Sequence, residues 1–142
     1  MSLVIDIADA VTAELAGGAF SQAFTPQRRV LPAFELADLA ELRVTVVPKA
    51  VEITGSTRSV SQYDVQVDIG IQKKLGTDLD AEVADLCGLA DEIEEYLRQR
   101  PLSAAPYAVW VRTANEPVYA PEHLLEKRAF TSVLTLTYRA MK

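Results

Sequence analysis

The 142 residues carry 14 basic and 20 acidic side chains, a formal net charge of −6, with 49% apolar and 24% charged residues. That balance is ordinary for a chain that folds around its own core, and the length predicts a single domain, 1–142, long enough to need no staples. A single cysteine, Cys87, excludes an internal disulfide framework and a Cys-rich metal site, and no apolar run approaches the roughly 20 residues of a membrane span.

The first residues, Met1-Ser2-Leu3-Val4-Ile5-Asp6, meet an acid at once and have no basic lead, so they predict no signal peptide and folding in a cytoplasm. Residues 3–16 read as an amphipathic helix, with Val4, Ile7, Ala8, Val11 and Leu15 at helical spacing. Ser2 is the expected cap, and Gly17-Gly18 is the expected stop through a left-handed glycine. In 19–41, Phe20 and Phe24 are core anchors. The stretch Gln27-Arg28-Arg29-Val30-Leu31, bracketed by Pro26 and Pro32, fits a short edge strand, and 35–41 a short helical turn.

Residues 42–54 form a strand with Leu42, Val44 and Val46 on one face; Pro48 ends it or marks a bulge before Val51-Glu52-Ile53. After a polar turn at 55–59 comes the longest alternation in the chain. Tyr63, Val65, Val67, Ile69 and Ile71 share one face, and Asp64, Gln66, Asp68, Gly70 and Gln72 share the other. The two strands predict an antiparallel hairpin with a long connection, and Gly70 is a candidate bulge.

Thr77 with Asp80 resembles a capping box, and the helix that follows should run to about Arg100, where Pro101 stops it. Its stripe of Leu79, Val83, Leu86, Ala90, Ile93 and Leu97 predicts packing on the sheet. Between Asp78 and Glu95 lie eight acids and no Lys or Arg, while the other 12 acids are outnumbered by 14 basic residues. The acidity belongs to this one helix, which argues against phosphate binding there and predicts a solvated face. Residues 107–112 and 129–139 read as a final strand pair. Between them, 113–128 is too long for a hairpin turn and carries Val118, Tyr119, Leu124 and Leu125, so a functional or partner-bound loop is expected.

No motif for chemistry emerges. There is no Gly-rich phosphate loop, nucleophile elbow, Cys pair or His-x-x-x-His, and the one histidine, His123, sits in the long loop beside Glu122. No cofactor or metal site is expected.

The predicted order is α, short β, β, β, long α, β, β, an α+β fold with a single mixed or mainly antiparallel sheet and two main helices on one face. Within it, Phe24-Thr25-Pro26-Gln27-Arg28-Arg29, then Leu39-Ala40-Glu41-Leu42-Arg43-Val44-Thr45-Val46-Val47-Pro48-Lys49, then 63–74 resemble the small structural proteins of tailed-bacteriophage morphogenesis modules. Tail terminator (tail completion) proteins and neighbouring neck proteins are closest in size and element order. The resemblance implies a non-enzymatic virion protein, made in the host cytoplasm and forming a ring, expected to be hexameric, at the head–tail junction. Its implied partners are further copies of itself, the tail tube protein and the head connector or a head-completion protein, with DNA passing through without sequence recognition. The expected inter-chain contacts are Arg28, Arg29, Arg58, Val118, Tyr119, Leu124, Leu125, Lys127 and Arg128, with the basic residues meeting a neighbour's acidic helix. The alternative is a small α+β enzyme or binding domain with a pocket near 113–128.

Overall fold

The β-branched alternation of the central strand dictates a sheet with one apolar face, and that face is where the two long helices settle. The structure, a computed structural model, describes residues 2–30 and 39–142. In chain order the elements are α1 (Leu3–Ala16), β1 (Gln27–Arg28), β2 (Arg43–Gly55), β3 (Ser61–Lys74), α2 (Leu79–Leu97), β4 (Val109–Asn115), α3 (Pro121–Lys127) and β5 (Ala129–Met141). The five strands lie in the order β1-β2-β3-β5-β4; β1 runs parallel to β2 and every other pair is antiparallel. This is the mixed sheet and α+β fold expected from the sequence.

The core forms between the helices and one sheet face. Ile7, Ala8, Val11 and Leu15 of α1 and Leu86, Leu89, Ala90, Ile93 and Leu97 of α2 meet Val65, Val67, Ile69 and Ile71 of β3 and Phe130, Leu134, Leu136 and Tyr138 of β5. Each fully buried aliphatic side chain contributes about 1.5–3 kcal/mol of transfer free energy. On the other face Asp64, Asp68, Thr131, Thr135 and Arg139 alternate with these residues.

Several local expectations change. Ser2 occupies the N-cap position of α1 without a side-chain cap, and Gly17 keeps a right-handed backbone (φ −87°). The glycine that matters is Gly18, where a Cβ would stand 2.7 Å from the Phe20 ring. Asp78, not Thr77, caps α2: its carboxylate accepts the Ala81 N–H at 3.3 Å. The helix stops at Leu97 rather than Arg100, because Gln99 turns to φ 57° and the chain must bring Leu102, Ala105 and Ala108 back into the core. Gly70 pairs in unbroken register with Thr45 and Val133, and the bulge lies instead in β2 between Pro48 and Ala50. The β2–β3 connection is the five residues 56–60, closed by Thr57 N–H donating to the Val60 carbonyl at 2.9 Å.

The stretch 113–128 is not an unpartnered loop. β4 continues to Asn115, α3 occupies 121–127, and the backbone between them bonds to β5 through Glu116 N–H to Val133 O (3.1 Å) and Ala120 N–H to Thr131 O (3.0 Å). Backbone groups shielded from water need partners, and the side of β5 that β4 leaves uncovered supplies them. The helical turn expected at 35–41 falls mostly outside the described residues, as do Leu31 and Pro32; Leu39 and Ala40 lie in a short 3-10 turn.

Candidate partner-contact surfaces

A strand rises about 3.3 Å per residue and a helix about 1.5 Å. The 14-residue α1 therefore spans about 21 Å. The 13-residue β2 spans about 43 Å. The helices cover the first half of β2, and residues 49–55 are all exposed. Val51 (39% exposed) and Ile53 (60%) sit on the helix-bearing side of this projecting hairpin, opposite Val65 and Tyr63. Sequence reasoning missed both residues; the signal was present, since strands this long cannot be covered by a helix of similar residue count. Arg58 lies at the hairpin tip and is exposed.

Arg28 stands at the β1 edge, where its Nε donates to Asp9 of α1 at 2.8 Å. The neighbouring Arg29 backbone N–H bonds Val46 O at 2.9 Å. Across the sheet, beyond β5, lie the remaining expected contacts. Val118 and Tyr119 are exposed, and Leu125 on α3 is 86% exposed. Leu124 turns inward and packs against the core. Lys127 closes α3, and Arg128 takes a left-handed backbone (φ 47°). Its guanidinium donates to Gly76 O at 2.7 Å while its own carbonyl accepts the Leu75 N–H. The expected residues thus form no single patch. They divide between the β1–β2 side of the sheet, with the hairpin tip, and the β4 side, while Arg128 is tied to the chain leaving β3. Tyr107 and Val109, both exposed, extend the second surface.

The helix-free face carries an ordered row of charge. Asp64 of β3 accepts from Arg139 of β5 at 2.9 Å, and that bond holds the Asp64 carboxyl below its ordinary value. Asp68 accepts the Thr135 hydroxyl at 2.6 Å. On α2 the acids are less uniform than a solvated face would be. Glu82 accepts the Gly76 N–H, Glu92 accepts the Ser21 N–H at 2.9 Å, and Glu94 pairs with Arg98; Asp80, Asp85, Asp91 and Glu95 are exposed.

At the far end of the helices, Glu14 accepts the Ser103 N–H at 2.7 Å, and the Tyr96 hydroxyl donates to Glu14 O at 3.0 Å. The Ser103 backbone bond is the main reason the Glu14 carboxyl is held below its usual range, with Arg100 nearby adding to it. Arg100 also stacks 3.9 Å from the Tyr96 ring centre, a cation–π contact.

His123 places Nδ1 2.8 Å from the Thr131 hydroxyl, a bond that anchors α3 to β5. Two grooves of about 460 and 500 Å³ share Gln22 and Lys73 in their linings, and neither is lined by residues 113–128. Among the described residues no group of His, Cys, Asp and Glu has the arrangement of a metal site, and no helix is long and apolar enough to cross a membrane. A scan against protein-family models returns no match, and neither does a search of curated proteins.

Proposed function

We propose that the chain is a structural virion protein of a tailed bacteriophage, a tail terminator that forms a ring at the head–tail junction, caps the tail tube and joins it to the connector. The observation that carries this reading is the division of exposed apolar and basic residues between two sides of one sheet: Val51, Ile53 and Arg58 on one, Val109, Val118, Tyr119 and Leu125 on the other. A head-to-tail contact needs two different surfaces on each copy, and such contacts generate rings where the rotation closes. In this reading the protein has no catalytic residue and no cofactor, and its partners are further copies of itself, the tail tube protein and a connector or head-completion protein.

Native mass measurement of the purified chain tests the assembly, with a ring, hexameric in the expected case, as the supporting result. A phage lacking the gene should make tails of uncontrolled length that fail to join heads, and supplying the chain should restore both. A chain that stays monomeric at high concentration, together with normal tails in its absence, would overturn the proposal.

A further inference from the structure

Across the helix-free face at the base of the projecting hairpin, charge runs in one order from strand to strand. Glu52 of β2 lies directly across from Asp64 of β3, Asp64 pairs with Arg139 of β5, and Arg139 lies across from Val109 of β4, next along whose outer face is Arg112. The row reads negative, negative, positive, positive. Like charges facing each other across a strand pair are destabilising. Arg139 satisfies Asp64, which leaves Glu52 beside a carboxylate already committed. Among the described residues neither Glu52 nor Arg112 has an opposite charge within ion-pair distance, although Arg112 is near enough to help hold the Asp64 carboxyl down, and both are exposed.

Among the described residues the backbones at the two ends of this row also have no strand beside them. β1 covers β2 only at Thr45 and Val46, so among the described residues the side of β2 facing away from β3 is open over 48–55, and β4 is the last strand at the other edge. Because β2, β3, β5 and β4 alternate in direction, β4 runs antiparallel to β2. A second copy placed head to tail therefore presents an antiparallel partner.

We propose that the open edge of β2 at 48–55 pairs with β4 of a second copy of this chain, with Glu52 facing the neighbour's Arg112. The register follows from which side each residue occupies. With Glu52 opposite Arg112, Ala50 meets Ala114 on the helix-free face and Val51 meets Thr113 on the helix-bearing face. The β4 irregularity between Trp110 and Arg112 then sets Ile53 beside Trp110, covering the exposed isoleucine with an indole. The row of charge continues from copy to copy, each acid pair followed by a basic pair. The inference rests on the ring-forming reading and names its interface.

Charge reversal in the full chain tests it. Glu52→Arg alone and Arg112→Glu alone should each shift the native mass toward monomer, with at least a tenfold weaker association, while thermal unfolding of the monomer stays cooperative. The double variant, Glu52→Arg with Arg112→Glu, should recover the assembled mass. As a second measurement, a Glu52→Cys chain mixed with an Arg112→Cys chain, both carrying Cys87→Ser, should give a disulfide-linked pair on mild oxidation, since cross-strand Cα atoms lie about 4.5–5.5 Å apart. Single variants that assemble like the wild type, with no cross-linked pair, would overturn the edge pairing and leave the ring-forming reading standing. A wild-type chain that never assembles would overturn both.

Discussion

The Glu14 carboxylate accepts the backbone N–H of Ser103 at 2.7 Å, a bond between residues 89 positions apart that ties the end of α1 to the segment following α2. The side chain is only 10% exposed, and the groups acting on it are Ser103, Arg100 and Tyr138, while the Tyr96 hydroxyl bonds the Glu14 backbone carbonyl. Its folded pKa lies below the unfolded carboxylate value, so the unfolded state binds the proton more readily. The stabilisation is therefore complete above the unfolded pKa and is lost as pH falls through the lower folded one. Glu14→Gln should lower the melting temperature at neutral pH, and the gap to the wild type should narrow on acidification below pH about 4. Melting curves across that range check it, and a gap independent of pH would contradict it.

Leu86 and Ile93 face the sheet from α2 and are buried. Leu86→Ala should cost about 2–5 kcal/mol of unfolding free energy, read from urea denaturation at constant m-value. An unchanged midpoint would mean that α2 does not pack as described.

The acids of α2 should separate into two classes. Asp91→Asn with Glu95→Gln, both exposed and without hydrogen bonds among the described residues, should change stability by less than about 0.5 kcal/mol. Glu92→Ala removes the acceptor of Ser21, 71 positions away, and should lower the melting temperature and loosen 18–24 in hydrogen exchange. Equal, negligible effects from both changes would restore the picture of a uniformly solvated face.

Tyr138 is fully buried, and its hydroxyl has no hydrogen-bond partner among the described residues; burial and the Glu14 carboxylate push its phenol well above the ordinary tyrosine range. An unsatisfied buried polar group costs about 1–3 kcal/mol. Tyr138→Phe should therefore leave stability unchanged or raise it by about 1 kcal/mol in the same denaturation experiment. A clear loss would show that the hydroxyl is bonded.

The helices and strands were legible from the sequence wherever one periodicity ran unbroken. Alternation along 63–71 and the four-and-three spacing from Leu79 to Leu97 each admit one structure, because a side chain's face follows from the backbone repeat alone. The two main helices on one sheet face followed from the same stripes. What the tertiary structure decided was where cover ends and where partners lie far apart in the chain. Leu124 and Leu125 are adjacent and chemically alike, yet one packs on the core and the other is 86% exposed. Glu92 and Asp91 look equivalent on an acidic helix, but only Glu92 reaches Ser21. Val51 and Ile53 fall out of phase with Val44 and Val46 in sequence; the bulge between Pro48 and Ala50 returns them to the helix-bearing side, where they emerge from cover, since strands outrun helices of similar residue number. Local pattern fixes the direction a side chain takes from its own backbone; only the packed arrangement of distant segments fixes what it meets there.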